Sequence, residues 1–269
     1  MTVAGSAPPL TAPPLAWRAA LDPLPLPAWR YYARVGSTND VARAWAQQGA
    51  AEGCLVLAEA QTAGRGRRGR AWHTPAGRAL ALSLVVRPLP GEEAHLNRYA
   101  AWAALAMVLA LEGYGVPARL KWPNDLLLAG RKIGGVLAEA TWQGERPRVV
   151  VVGLGLNVLQ GSAPRPEAVD YPAGDIESLT GRRLPRPALV AAFWRRWAWW
   201  RPHIGQPAFV HAWEARLAWR GRAVEVRPPA GESVRGVLLG LTPEGGLRVR
   251  TAEGERVVHH AATVRPAPA

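Results

Sequence analysis

Between Glu59 and Trp72 the chain reads EAQTAGRGRRGRAW, with Arg65, Arg67, Arg68 and Arg70 interleaved among Gly64, Gly66 and Gly69. Glycines let backbone N–H groups curl closely around an oxyanion, and guanidinium groups give planar, bidentate contacts to phosphate or carboxylate. This stretch therefore has the means to hold an anion. It is not a Walker loop, because the GxxxxGK[ST] spacing and its lysine are missing. Taken alone, the same residues also suit a solvated basic loop without a ligand, or an RGG-like segment on an RNA backbone.

A second group is marked by scarcity. Of 33 basic residues only Lys121 and Lys132 are lysines, and the chain has a net charge of +13 and a pI near 11.2. With Ala, Pro, Gly and Trp abundant, this is compositional drift that has turned surface lysine into arginine, so the excess charge is weak evidence for a polyanionic partner. Two lysines retained eleven residues apart mark places where a compact ammonium is needed and a planar fork will not serve. Asp125 lies between them in LKWPNDLLLAGRKIGG. Asparagine behaves alike: Asn39, Asn124 and Asn157 each sit in a candidate motif, and only Asn97 does not.

The elements that must position these groups follow from pattern. WRYYARVGSTNDVARAWAQQG reads as strand, turn and helix, with Ser37 or Thr38 as N-cap and Val41, Ala44 and Trp45 on one helical face. Ser37, Thr38 and Asn39 could simply cap; aimed at a small polar ligand, they would supply hydroxyl and amide groups at a helix N-terminus. GCLVLAEA is a strand entering the arginine–glycine loop, and RALALSLVVRP a central strand leaving it. His73, just past the loop, reads as a local hydrogen-bonder. Residues 94–112 form a long core helix ended by Gly113 and Gly115. ARLKW and LLLA form a hairpin broken by Pro123-Asn124-Asp125, with KIGGVLAEA as a further strand. VVVVGLGLNV is an apolar strand whose Gly153, Gly155 and Asn157 permit close approach of a flat ligand. Residues 160–185 are loop-like around a short helix at DIESLTG. The Trp-rich stretch 186–219 is one or two helices packed on the sheet. From Arg220, AVEVRP, SVRGVLLGL, GLRVRTA and ERVVHHAATVR are short strands of a small separate β-barrel, with His259 and His260 on alternating faces of its last strand.

Length bounds one large domain with at most a small appendage. The expected boundaries are 1–28 as a Pro/Ala-rich, poorly ordered or extended arm without apolar periodicity, 29–219 as the main domain and 220–269 as the barrel. No apolar run reaches membrane-spanning length and no secretory signal is visible. The single Cys54, at the head of an apolar strand, fits a buried inert thiol in a reducing cytoplasm. No metal-ligand constellation is visible.

GRGRRGRAW, KWPNDLLL, the Arg-Lys-Ile-Gly-Gly run at 131–135 and GLGLN, with Ser-Thr-Asn at 37–39, in this order closely resemble the biotin protein ligases over about residues 29–266. The resemblance implies an α+β catalytic domain related to class II aminoacyl-tRNA synthetases and lipoate ligases, with a mixed sheet, flanking helices and a C-terminal SH3-like barrel. It implies ATP-dependent ligation of biotin, through biotinyl-5′-AMP, to one lysine of a biotin carboxyl carrier protein, with Mg²⁺ required. Lys132 maps onto the lysine that contacts the biotin carboxyl and then the adenylate phosphate; Lys121 and Asp125 belong to the KWPND motif, Asp125 receiving or orienting the acceptor lysine. Arg65, Arg67, Arg68 and Arg70, with Gly64 and Gly66, are expected to supply charge where two anions meet and to close over the hydrolysable anhydride. Ser37, Thr38, Asn39 and Gln61 are expected at the ureido ring, Trp72 and Gly135 at the pocket wall, and Gly153, Gly155 and Asn157 beside adenine.

Members that repress transcription carry a winged-helix domain before the core, and the Pro-rich arm is too short for one. The expectation is a monofunctional ligase, monomer or homodimer, without sequence-specific DNA binding. Two other readings stay open: a lipoate or octanoate ligase of the same fold, and a non-catalytic nucleic-acid-binding protein.

Overall fold

The computed structural model describes residues 9–267 apart from 167, 168, 170, 230 and 262. In chain order the elements are α1 Leu15–Leu21, β1 Trp29–Val35, α2 Thr38–Gln47, β2 Leu55–Gln61, β3 Ala79–Val86, α3 Arg98–Gly113, β4 Arg119–Lys121, β5 Asp125–Leu128, β6 Arg131–Gln143 and β7 Arg146–Asn157. There follow α4 Ile176–Thr180, α5 Arg186–Trp200, α6 Pro207–Glu214, β8 Ala223–Arg227, β9 Val234–Leu241, β10 Leu247–Thr251, β11 Gly254–Val258 and β12 Thr263–Pro266. Strands β1 to β7 form a mixed sheet in the order β1-β2-β3-β7-β6-β5-β4, in which only β1 and β2 run parallel. Strands β8 to β12 form a separate antiparallel sheet in the order β11-β10-β9-β8-β12.

Side chains alternate along a strand, so each face of the large sheet can be read from the sequence. On β7, Val150, Val152, Leu154 and Leu156 enter the main core with Leu80, Leu82 and Leu84 of β3, against Trp102 and Leu105 of α3 and Phe193 and Trp197 of α5. The stacked indoles of Trp102 and Trp197 lie 4.3 Å apart between the two helices. Val149 and Val151 face the other way, joining Tyr32, Val56, Ala58 and Val85 under α2. The main core continues without interruption into the small sheet through Val224, Val226, Leu247 and Val249. The indole N–H of Trp122 donates to Gly245 O at 2.9 Å, and the Asn97 amide to Glu244 O at 2.8 Å, across the same boundary.

Five expectations change. Residues 9–28 are not a loose arm (residues 1–8 lie outside the described ones): α1 buries Trp17 and Leu21, with Leu24 one turn on. Those residues fall at i, i+4 and i+7, a helical stripe that the surrounding prolines obscure. On α2 the buried positions are Thr38, Asn39, Ala42 and Ala46; Ala44 is exposed, and Val41 and Trp45 are only partly covered, because small side chains let the helix lie close on the sheet. The expected helix over 94–112 is α3 preceded by a short 3₁₀ turn at Glu92–His95. His259 and His260 fall between β11 and β12, where the chain turns, so ERVVHHAATVR is two strands. Of the tryptophans read as packed, Trp194, Trp197, Trp200 and Trp213 are buried while Trp199 is exposed. Among the described residues, no helix is long and apolar enough to cross a membrane.

Candidate active site

One register row crosses all seven strands: Tyr32, Ala58, Ala81, Gly155, Gly135, Asp125 and Lys121. Beneath α2 the row is apolar; beyond it the floor becomes glycine, then charge. Gly153 and Gly155 have ordinary backbone angles, so what requires glycine is proximity. A Cβ on Gly153 would lie 2.1 Å from Asn39 Oδ1, and one on Gly155 would lie 2.2 Å from the Trp72 ring.

At the α2 end is a polar cluster with little exposure. The Thr38 backbone N–H and hydroxyl donate to Gln61 Oε1 at 2.9 and 3.1 Å, and the Gln61 amide donates to Thr74 Oγ1 at 3.1 Å. The Ser83 hydroxyl lies 2.8 Å from Thr38 Oγ1 and 2.6 Å from Asn39 Oδ1, while Asn39 Nδ2 donates to Glu139 Oε2 at 2.6 Å. Ser37, also buried, occupies the N-cap position without a side-chain capping bond. Ser83, Thr74 and Glu139 escaped the sequence reading. Ser83 was visible as the one polar residue in ALALSLVV, and Glu139 shares the parity of Gly135 on β6.

At the hairpin end, Asp125 bridges both lysines, with Lys132 Nζ at 2.6 Å from Oδ1 and Lys121 Nζ at 3.3 Å from Oδ2. Antiparallel pairing across β4 and β5 sets Lys121 opposite Asp125. Lys132 arrives there through a bulge: pairing steps from Leu126–Gly134 to Leu127–Lys132 and leaves Ile133 unopposed in the core. The extra residue inverts the parity of β6, so Lys132 shares a side with Asp125 and not with core-facing Gly134. Lys121 is buried, 4.2 Å from the centre of the Tyr171 ring. Burial pulls its ammonium below the ordinary lysine range; Asp125 opposes that and Lys132 adds to it.

The arginine–glycine stretch is a closed hairpin over this face. Trp72 N–H donates to Gly64 O at 2.8 Å and Gly66 N–H to Arg70 O at 2.7 Å, with Arg68 (φ 60°) and Gly69 (φ 72°) turning the tip. Gly64 admits the return limb, since a Cβ there would meet Trp72 O at 2.5 Å. Arg67 donates to Asn124 Oδ1 at 2.8 Å, and Asn124 is itself fixed by its amide on Val136 O at 2.7 Å. Arg65 makes a two-pronged contact with Asp40, both at 2.7 Å; Arg68 and Arg70 are exposed at the tip. Lys132 Nζ lies 5.9 Å from the Trp72 ring, so the hairpin spans from the polar cluster to the cations. Trp72 Nε1 and Asn157 Oδ1 are buried with no partner among the described residues, polar atoms that a bound ligand could satisfy.

The three residues expected beside adenine are divided. Gly153 lies against Asn39 in the polar cluster, Gly155 lies under Trp72, and Asn157 donates to Gly174 O at 3.0 Å beyond them. Gly135 sits where a Cβ would meet Lys132 Nζ at 3.3 Å and Asp125 Oδ1 at 3.4 Å, closer to the charges than to a pocket wall.

A glycine floor between a donor–acceptor pocket and paired lysines, under an arginine hairpin, defines a protein-ligase class: residues 31–157 match the model of the Biotin/lipoate A/B protein ligase family. The chain is 36% identical to the biotin–[acetyl-CoA-carboxylase] ligase of Paracoccus denitrificans, over 84% of this chain and 95% of that one. It is 32% identical to the bifunctional ligase/repressor BirA of Bacillus subtilis, over 86% of this chain and 72% of that one. The solved biotin protein ligase from Aquifex aeolicus, in complex with biotin and ATP, superposes with a TM-score of 0.75 at 25% identity, covering 90% of this chain and all of that one. The chain belongs to the biotin protein ligase family.

Proposed function

We propose that the chain ligates biotin to a lysine of a biotin carboxyl carrier protein in two ATP-dependent steps. In the first, a biotin carboxylate oxygen attacks the α-phosphorus of ATP and pyrophosphate leaves, giving biotinyl-5′-AMP. In the second, the acceptor amine attacks the acyl carbon, AMP leaves with the bonding pair, and the amine sheds its proton. The observation that carries this reading is the pairing of two unlike ends on one face. Thr38, Asn39, Gln61 and Ser83 converge as donors and acceptors, matching a cyclic urea with two N–H groups and a carbonyl. From Gly155 to Asp125 is two strand spacings, about 9.5 Å, so an elongated ligand with its ring in that pocket would bring its carboxylate toward Lys132.

In this reading Lys132 and Arg67 offset the repulsion between carboxylate and triphosphate, then stabilise the charge developing on phosphate. Arg65, Arg68 and Arg70 with Gly64 and Gly66 keep the hairpin anionophilic, and Trp72 covers the acyl chain. Asp125, held between two ammonium groups, is placed to orient a third, that of the acceptor, and to take its proton. Among the described residues no group of three or more His, Cys, Asp or Glu is arranged to hold a metal ion. Mg²⁺ would enter as a partner of the triphosphate, its usual mode, and would neutralise the departing pyrophosphate. A site in the cytoplasm, where ATP and carrier protein meet, suits this chemistry.

The same pocket argues against lipoate, whose dithiolane offers no N–H or carbonyl, leaving buried polar groups unmet. The test is transfer of labelled biotin to a carrier domain with ATP and Mg²⁺. Wild type should label the carrier and Lys132→Ala should lose about 10²-fold or more, the usual cost of deleting a charge-stabilising group. Equal labelling by both removes Lys132 from its role. A wild-type protein that binds no biotin overturns the reading, and binding to nucleic acid that falls steeply with salt would replace it.

A further inference from the structure

The hairpin's two limbs are fastened to the same buried point. On the entry limb, Arg65 grips Asp40 with both guanidinium prongs at 2.7 Å and touches Glu139 Oε2 at 3.3 Å. That oxygen also accepts from Asn39 Nδ2 at 2.6 Å and pairs with Arg43 at 3.0 Å. On the exit limb, buried Thr74 receives the Gln61 amide, and Gln61 receives Thr38. Asn39 and Thr38 then meet at one hydroxyl, Ser83, which completes a ring from Arg65 through the polar pocket to Thr74.

Charge makes the arrangement specific. Two arginines (Arg43 and Arg65) face two carboxylates (Asp40 and Glu139), so this foot of the hairpin is neutral. Neutralising either acid would leave a surplus cation beside Arg67, Arg68 and Arg70. The two-pronged grip also depends on a planar fork at position 65. Neither Asp40 nor Glu139 belongs to the motifs that carry the chemistry.

We propose that Asp40 and Glu139 are positioning residues that latch the arginine–glycine hairpin shut through Arg65, and that Asn39 links this latch to occupation of the polar pocket. The assignment rests on the ligase reading for its catalytic consequence, though not for its geometry. A ligand drawing on Asn39 changes the acceptor that Arg65 shares, and a closed hairpin retains the reactive anhydride until the acceptor lysine arrives.

The variants are Asp40→Asn and Glu139→Gln, near-isosteric and made in the full chain, with Asp40→Glu as the conservative rescue. The first readout is trypsin cleavage after Arg65, Arg67, Arg68 or Arg70 in the native, ligand-free protein. Because the pair is partly solvent-screened, the expected gain in cleavage rate is about three- to fivefold, not larger. The second is the partition of biotinyl-5′-AMP between release to solution and transfer to carrier, with the biotin KM and kcat. Both variants should release several times more adenylate and raise the biotin KM while kcat stays near wild type, and Asp40→Glu should restore retention. Cleavage and retention unchanged within twofold would overturn the proposal. So would a loss of kcat and thermal stability together without selective cutting at the hairpin, which marks merely structural residues. If wild type forms no adenylate, the ligase reading fails while the cleavage assay still reports on the latch.

Discussion

Gly153→Ala puts the geometry of the polar pocket to a direct trial. The new Cβ would stand 2.1 Å from Asn39 Oδ1 and 2.9 Å from its Cγ. Non-bonded contact relaxes only near ~3.5 Å, so the amide must retreat by about 1 Å or more. Asn39 is held at 2.6 Å on each side, by the Ser83 hydroxyl and by Glu139. A retreat of that size takes at least one of those bonds out of range, and an unmet buried polar group costs about 1–3 kcal/mol. If the ureido ring shares this amide, biotin affinity should fall roughly 10- to 100-fold, since each ~1.4 kcal/mol is a factor of ten. Isothermal titration with biotin and, separately, with ATP reads this directly: ATP affinity should stay within about twofold, as expected of a distant site. Gly134→Ala is the control, because that glycine faces the core, where a Cβ would meet Gly155 O at 2.8 Å and Leu156 Cδ1 at 2.9 Å. It should lower thermal stability without a selective loss of biotin. A folded Gly153→Ala protein that binds biotin as wild type does would refute the placement of the ring against Asn39.

Two further outcomes follow from charges in confined places. Burial alone would raise the Glu59 carboxyl, but Arg186 at 2.9 Å, the Tyr31 hydroxyl and the Gly77 N–H hold it below the ordinary carboxylate range. A lowered folded value means stability that is fully present above the unfolded value and lost as pH falls through the folded one. Glu59→Gln should therefore cost about 1–3 kcal/mol at pH 7, and the gap in urea midpoint between it and wild type should shrink steadily below about pH 4. A gap constant with pH would exclude the carboxylate as the cause. Lys121→Arg should spare biotin binding but slow transfer to the carrier by about tenfold or more, because a planar fork cannot replace a compact ammonium between Asp125 and the Tyr171 ring. Full transfer by the arginine variant would show the retained lysine to be incidental.

Much of the site was legible because its chemistry sits on motifs with unusual composition. Lys121, Asp125 and Lys132 stood out against an arginine-rich background, and the structure gathers them within hydrogen-bonding reach. The alternation in VVVVGLGLN was legible too, since a period of two puts Val149, Val151, Gly153 and Gly155 on one face and Val150, Val152, Leu154 and Leu156 in the main core. What sequence pattern could not supply was the bulge at Ile133, a local change of parity without a sequence signature, and the pairing partners of the hairpin. Asp40 and Glu139 lie 99 residues apart and acquire meaning only when the fold brings Glu139 of β6 to Asn39 and Arg43 of α2. The N-terminal helix was hidden for another reason. Proline-rich composition argued for an extended arm, yet the apolar stripe of Trp17, Leu21 and Leu24 finds a docking face only on α5 and β1, which local propensity does not register.

The two sheets share one apolar core, and that continuity restricts how the molecule can breathe. Rocking one sheet against the other would expose Val224, Val226, Leu247 and Val249 along with the helices they pack against, and would shear the Trp122 and Asn97 ties. Movements of that kind break core packing, which places them at the costly end of a protein's opening motions. In the proposed reaction, admission of two small substrates, escape of pyrophosphate and presentation of the acyl group to a whole protein would then fall to the hairpin between β2 and β3. The rest of the fold is then the fixed frame against which that one segment moves.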